Sequence, residues 1–206
     1  MYQVFRFSYI LDLLALMRPP FLAFILFFTF FTSWGQAKTE WKEGYKLTVL
    51  DFQAEAPQNR EGQGQTYYLA ANLDFNYAMS SYEFMLTKNF NKNVTAYFMP
   101  ANSWLQQGEG TEILLKYAQM DFDLLELYAR KCRQQLYAEK NAFSNPDFFQ
   151  ETYNGINAEM ARRRVEMQNA MAESNSKGEA FYVQILKEVA SLAEYCKECK
   201  PAKKKK

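Results

Sequence analysis

The sequence predicts an α+β protein in which an N-terminal antiparallel sheet is followed by three long helices. Before residue 100, runs rich in Tyr, Phe, Val and Thr partly alternate apolar and polar side chains, as strands with one covered face do. From Thr111 onwards, apolar residues recur at spacings of three and four, which indicates amphipathic helices. Strands followed by helices indicate an α+β layout rather than alternating βαβ units. The length of 206 residues allows a leader and one domain, predicted over residues 38–199.

Residues 1–37 have the composition of a cleavable signal peptide. Arg18 supplies a positive charge shortly before an apolar run from Phe21 to Phe31. The run is shorter than the about 20 residues that a membrane-spanning helix needs, and it suits the core of a signal peptide. The small residues Gly35 and Ala37 stand where a signal peptidase requires them, so we predict cleavage after Ala37.

This leader predicts export from a bacterial cell, either to the periplasm or to the outside. Translation could begin at Met1 or at Met17, since the residues from Met17 also open a normal signal sequence. An uncleaved membrane anchor is the alternative, whereas cleavage would leave no stable membrane span.

Four segments of the exported part are predicted to be strands: Trp41–Phe52, Thr66–Tyr77, Tyr82–Leu86 and Val94–Met99. Their aromatic and β-branched residues favour an extended backbone. The stretch 54–65 contains a proline and two glycines, so we expect it to be a loop.

Three helices are predicted after residue 110. The first runs from Thr111 to about Lys140. The second begins near Pro146, because proline suits the first turn of a helix, and it continues to Glu173. After a break at residues 174–178, the third helix covers Glu179–Cys196.

The composition excludes several classes of function. The sequence contains no histidine, which excludes Ser-His-Asp and Cys-His hydrolases and every H-E-x-x-H zinc site. A formal net charge of +1 argues against nucleic acid as a partner. Residues 200–206 include five lysines and are predicted to be a basic disordered tail. Weak attraction of this tail to anionic lipid or polysaccharide is the alternative.

The three cysteines, Cys132, Cys196 and Cys199, all lie in the exported part of the chain. The last two form a C-x-x-C pair at the predicted end of a helix, whereas a redox-active cysteine needs the positive pole at a helix N-terminus. We therefore predict a structural disulfide, either within the pair or from one of its members to Cys132. A thiol oxidoreductase is the less favoured interpretation.

The segment Ile113–Lys131 reads ILLKYAQMDFDLLELYARK. It resembles the active-site helix of a family of exported bacterial proteins of uncharacterised function, thought to be zinc-dependent proteases with a zincin-like core. The helix of that family reads approximately L-L-x-H-E-Q-x-H-F-D-x-x-E-L-Y-A-R. The matching residues are Leu114, Leu115, Gln119, Phe122, Asp123, Glu126, Leu127, Tyr128, Ala129 and Arg130.

Two further stretches resemble the same family. Leu47–Phe52 is similar to its opening L-T-W-x-D-F, and Val94–Pro100 with Ser103-Trp104 is similar to its V-x-A-x-F-x-P-x-x-S-W strand and turn. The resemblance spans roughly Lys46 to Tyr195 and implies a zincin-like fold.

The chain departs from the family at the residues that carry the chemistry. In H-E-x-x-H, two histidines on one helix face bind zinc, and the glutamate polarises the attacking water. The corresponding positions hold Tyr117, Ala118 and Asp121, and Lys177 aligns with a later histidine of the family. The resemblance therefore implies a degenerate member with no catalytic residues, no metal site and no cofactor.

Two ion pairs are predicted, one from these substitutions and one from helical spacing. If Asp121 and Lys177 occupy former ligand positions, a salt bridge between them could join two helices that the metal once held together. Glu126 and Arg130 are four residues apart in the first helix, and we expect them to form a pair on its surface.

The favoured function is that of an exported pseudoprotease, which keeps the scaffold and acts by binding or scaffolding in the envelope. The partner would be an envelope protein, a peptide or a glycan. Tyr117, Tyr128 and Trp104 are candidate binding residues, with core packing as the alternative for each. A hydrolase with an unrecognised site is the second interpretation, since a fold does not fix a function.

Overall fold

A small antiparallel sheet and three long helices form the described part of the chain, as the α+β prediction requires. The computed structural model describes residues 37–58, 64–76, 91–138 and 147–200, and all of them except Ala37 belong to the unit Lys38–Lys206. The strands are β1 (Thr39–Glu40), β2 (Tyr67–Tyr68), β3 (Ala71–Phe75), β4 (Val94–Phe98) and β5 (Trp104–Leu105). The helices are α1 (Thr111–Ala138), α2 (Phe148–Glu173) and α3 (Asn175–Ser191).

The strands form two antiparallel sheets. The larger has the order β1-β4-β3, with Leu73 paired to Ala96 and Thr39 to Phe98. The smaller joins β2 to β5 through the pair Tyr67 and Leu105. Along β4, every residue except one is buried, because this central strand lies against α1.

Helix α1 is the centre of the packing. Its residues from Ala118 to Arg130 are all buried, although an amphipathic helix normally buries only one face. The sheet covers one side, where the Phe98 and Phe122 rings meet edge to face with their centroids 5.1 Å apart. Helices α2 and α3 also pack against α1, so that α1 contacts both layers.

A buried ion-pair cluster lies within α1. The Glu126 carboxylate accepts hydrogen bonds from Arg130 Nε at 3.0 Å and from Arg133 Nη1 at 2.9 Å. The Glu126 and Arg130 side chains are only 3% and 4% exposed, so the prediction of a surface pair was wrong about its location. The reason is that α1 is covered on all sides, whereas the prediction assumed one solvated face.

Both arginines of this cluster also bind backbone carbonyls of neighbouring elements. Arg133 donates to Val94 O of β4 at 2.7 Å and to Tyr195 O at 2.9 Å. Arg130 donates to Val189 O of α3 at 2.7 Å. The cluster therefore ties the sheet, the last helix and the turn after it to α1.

The predicted first strand, Trp41–Phe52, was wrong. Only Thr39–Glu40 pairs with the sheet, and Val49–Asp51 forms a turn of 3₁₀ helix. Asp51 stabilises this turn, because its carboxylate accepts the Thr48 amide at 2.7 Å and the Tyr45 hydroxyl at 2.5 Å. The apolar spacing in this segment reflects packing of a loop rather than pairing of a strand.

The predicted strand Thr66–Tyr77 is divided into β2 and β3. At the division, the Ala70 amide leaves the ladder and donates to Ser103 Oγ at 3.0 Å. The chain thereby passes from one sheet to the other. Strand β5 was not predicted, because two residues give no measurable periodicity.

Several predicted features lie outside the described residues. They are the signal peptide over residues 1–36, the strand Tyr82–Leu86, the last residues of the first helix and the tail from residue 201. Among the helices that the structure describes, none is both long and apolar enough to cross a membrane.

The cysteines divide into a local pair and a buried thiol. Cys196 is disulfide-bonded to Cys199, directly after the 3₁₀ turn Ala193–Tyr195. The buried Asn91 holds this loop through hydrogen bonds from its amide nitrogen to carbonyls that include those of Cys196 and Cys199. Cys132 lies in the core, where burial raises its thiol pKa to about 12.

Replacing the shared carboxylate of the buried cluster is expected to be costly. Glu126→Gln would leave two buried guanidinium groups without an anionic partner, so the free energy of unfolding should fall by about 3–5 kcal/mol. Urea denaturation followed by circular dichroism measures the change. As a control, Glu173→Gln removes an exposed pair with Lys177, and it should cost about 0–1 kcal/mol. Equal losses in the two variants would contradict the assigned role of Glu126.

The thiol chemistry should distinguish folded from unfolded protein. With the pKa of Cys132 raised to about 12, hardly any reactive thiolate exists at mildly alkaline pH, and burial also blocks access. A disulfide-exchange reagent should therefore label no thiol in the folded protein and one per chain in denaturant. Labelling of three thiols in the native protein would contradict the observed pairing.

Candidate functional site

A groove lies between α1, α2 and the chain from β2 to β3. Its volume is about 350 Å³, and Asp121 lies in its wall. We call it the Asp121 groove. The lining residues are Tyr67, Tyr68, Leu69, Ala71, Asp121, Arg164, Gln168 and Met171.

Both carboxylate oxygens of Asp121 are engaged by neighbouring elements. Arg164 of α2 donates from Nε to Oδ1 at 2.8 Å, and the Tyr67 hydroxyl of β2 donates to Oδ2 at 2.7 Å. The Asp121 side chain is 12% exposed, so these bonds are only partly screened by solvent. The carboxylate therefore joins α1, α2 and β2 at the bottom of the groove.

The predicted salt bridge between Asp121 and Lys177 was wrong. Lys177 forms an exposed ion pair with Glu173, at the junction of α2 and α3. Its backbone amide donates to Ser174 Oγ, the N-cap of α3, which fixes Lys177 in the first helical turn. Arg164 occupies the position at Asp121 that had been assigned to Lys177.

Tyr67 is held in its neutral form. Burial raises its pKa strongly, and the adjacent Asp121 carboxylate raises it further, while Arg164 has a smaller opposing effect. A neutral phenol is the form that can donate the hydrogen bond to Asp121. The arrangement thus makes Tyr67 a fixed hydrogen-bond donor to the Asp121 carboxylate.

The resemblance aligns two further residues, Tyr117 and Ala118, with the zinc motif of the family. They do not form one site with the Asp121 carboxylate. Ala118 is fully buried. Tyr117 is half-buried and lines a smaller hollow of about 100 Å³, together with Lys116, Met171 and Gly178. Met171 lines both hollows, so Tyr117 and Asp121 are in neighbouring spaces, and Lys177 lines neither.

The two remaining candidate binding residues differ in accessibility. Tyr128 is 4% exposed and packs in the core, with the Lys131 ammonium 4.8 Å from its ring centroid. Trp104 is half-buried in β5, and its ring centroid is 6.3 Å from that of Tyr68. Tyr68 itself lines the groove and is 53% exposed. Of the two candidates, Trp104 is therefore the accessible one, because it lies beside Tyr68.

The donor set does not fit zinc. A phenol, a methyl group and a carboxylate that already accepts two hydrogen bonds replace the usual imidazoles and general base. Among the described residues, no group of three or more Cys, Asp or Glu side chains is placed to hold a metal ion. The groove can instead recognise a ligand through hydrogen bonds and aromatic contact.

A second carboxylate network supports α1 next to Asp121. Asp123 accepts hydrogen bonds from Trp41 Nε1 and from the Tyr182 hydroxyl, each at 2.7 Å. Gln119 donates to the same carboxylate and accepts the Leu47 amide at 2.9 Å. Burial and the bond to Asp123 raise the pKa of Tyr182. This network attaches the N-terminal segment and α3 to α1.

The sequence reasoning missed Arg164 as a site residue. Its position did carry a signal, because it lies four residues after Met160 and three before Met167, both of which are buried. Residues at these spacings share one face of a helix, so Arg164 faces inwards, unlike the exposed Arg162 two positions earlier. Because Arg162–Arg164 is a run of three arginines in a polar helix, the sequence was interpreted as uniformly exposed there, and the inward-facing Arg164 was not distinguished from Arg162.

Comparison of the chain with protein-family models, curated proteins and solved structures gives no significant match. The resemblance to the zincin-like family therefore stays a prediction that depends on the residues quoted above.

The protein should lose stability at alkaline pH through its buried tyrosines. A phenol whose pKa is higher in the folded than in the unfolded state stabilises the fold below about pH 10, and this contribution disappears as the pH rises further. The free energy of unfolding should therefore fall above that pH.

Tyr67→Phe should make this fall less steep, since one raised pKa is removed, and should cost about 1–3 kcal/mol at neutral pH because Asp121 loses a donor. Tyr68→Phe is the matched control, because the Tyr68 side chain is half exposed. Denaturant unfolding at a series of pH values measures both effects. An unchanged alkaline slope in Tyr67→Phe would contradict the assignment.

Proposed function

We propose that the protein is a non-catalytic, zincin-like pseudoprotease that binds an extended polypeptide segment in the Asp121 groove. It would do so after export to the bacterial envelope, in the periplasm or outside the cell. The segment would belong to another envelope protein or to a free peptide.

The observation that carries this proposal is the state of Asp121. The resemblance aligns it with the second zinc-binding histidine, and its two oxygens are taken up by Arg164 and Tyr67. Both oxygens of this carboxylate are therefore engaged within the protein, and the alanine at position 118 cannot replace the catalytic glutamate. The features that a hydrolytic centre would use serve instead to fix the walls of the groove.

The edge of β2 supports an extended ligand. Gln106 donates its backbone amide to Thr66 O at 3.1 Å, one step along the ladder from the pair of Tyr67 and Leu105. Because bonded and non-bonded pairs alternate in an antiparallel ladder, the backbone amide and carbonyl of Tyr67 point away from β5. Among the described strands, β2 pairs only with β5, and the proposal places the backbone of the ligand along its other edge.

One feature of the sequence and one of the structure support export. The leader over residues 1–37 has the order of charge, apolar run and small residues that a signal peptide needs. The disulfide between Cys196 and Cys199 suits an oxidising compartment.

Binding of an extended backbone should be detectable with randomised peptides. The immobilised protein is expected to retain short peptides with free backbone amides, identified by mass spectrometry. A matched pool with N-methyl groups at alternate residues should be retained much less, because it cannot add to a strand edge. Equal retention of the two pools would contradict binding at the edge of β2.

Metal analysis and a peptide-hydrolysis screen test the loss of catalysis separately. The proposal expects no stoichiometric zinc and no turnover. Tightly bound zinc, or hydrolysis that a chelator abolishes, would overturn it in favour of a working hydrolase.

A further inference from the structure

Arg164 lines the Asp121 groove and binds Asp121 through its Nε atom only. It comes from α2, where its inward position brings it against α1, and its side chain remains 33% exposed. Asp121 fixes it through a single bond from Nε. A guanidinium fixed in this way keeps its plane and loses little further freedom when it binds a ligand.

The two terminal amino groups of Arg164 are available for such a ligand. Among the described residues, its one hydrogen-bond partner is Asp121, which leaves both terminal nitrogens without a protein acceptor. They are exposed enough to be hydrated, so no buried polar group is left unsatisfied. A ligand could therefore replace water at the two terminal nitrogens of Arg164.

We propose that Arg164 binds a carboxylate of the segment that the groove holds, through its two terminal amino groups. This inference rests on the proposed function and adds the chemistry of the ligand to it. A planar carboxylate accepts two parallel hydrogen bonds from a guanidinium, and such charge-assisted bonds are stronger than neutral ones.

The groove offers one guanidinium to a ligand. Arg164 is the one cationic residue among those that line it, and Asp121 is the one anionic residue. The two terminal amino groups of one guanidinium match the two oxygens of one planar carboxylate. The carboxylate could be an acidic side chain or the end of a chain.

The remaining walls suit the rest of such a peptide. Under the proposed function, the edge of β2 that does not face β5 binds the peptide backbone beside Tyr67, and the exposed ring of Tyr68 and the thioether of Met171 offer apolar contact. Arg164 would thus set the position of the peptide along the groove, while the strand edge would bind it without regard to sequence.

Three peptide pools test this inference on the purified protein. All are randomised, acetylated at the N-terminus and free of other acidic residues. The first has one Glu and an amidated C-terminus, the second has Gln in its place, and the third has Gln with a free C-terminal carboxylate. We expect the first or the third pool to be retained at least roughly tenfold better than the second. Which of the two is retained identifies the source of the carboxylate.

Two variants assign the preference to one residue. Arg164→Gln should abolish it, whereas Arg162→Gln, which changes an exposed arginine of the same helix, should leave it intact. Circular dichroism checks that both variants fold. Because the comparison of pools on the unmodified protein is independent of the variants, an unfolded Arg164→Gln does not remove the test.

The outcomes separate this inference from the proposed function. Equal retention of all three pools would overturn carboxylate recognition and leave peptide binding in place. A preference that survives in folded Arg164→Gln would overturn the role of Arg164. Retention of none of the pools would overturn the proposed function, and the inference with it.

Discussion

The fold depends on one carboxylate that is shared by two buried arginines. Glu126 neutralises only part of the charge of Arg130 and Arg133, and the carbonyl oxygens of three other segments provide the remaining acceptors. Because an unpaired buried charge is costly, these segments are held at fixed distances from α1. The sheet, α3 and the C-terminal turn therefore share one electrostatic centre. The groove is also placed relative to this helix, because Asp121 of α1 lies in its wall.

The residues that carry the resemblance along α1 have structural roles. Gln119 and Asp123 attach the N-terminal segment and α3, while Arg130, which is paired with Glu126, attaches α3. A helix can thus keep the flanks of a catalytic motif for reasons of packing and lose the residues that perform chemistry. Under the proposed function, this division explains why the resemblance is strong along the helix and absent at its reactive positions.

The sequence predicted α1, α2 and β4 closely, whereas the bounds of α3, predicted at Glu179–Cys196, and most of the short strands were wrong, for a physical reason. Periodicity is a local property, so it located the starts of α1 and α2 and the end of α2 closely. Strands of two residues exist only because of their partners, and no local pattern marks them. The burial of Glu126 could not be predicted from the sequence either, because it follows from the packing of other elements around every side of α1. The partner of Asp121 is Arg164 because of the face that α2 turns towards α1, and the resemblance to the family does not specify that face.

The short separation between Cys196 and Cys199 limits what their bond can do. A cross-link stabilises a protein mainly by restricting the unfolded chain, and this effect grows with the length of the loop that it closes. Here the loop spans three residue steps, so the gain is small and confined to the end of the chain. We therefore expect the domain to keep its shape when this bond is reduced. A reducing agent would release a local clamp and leave the helical core standing.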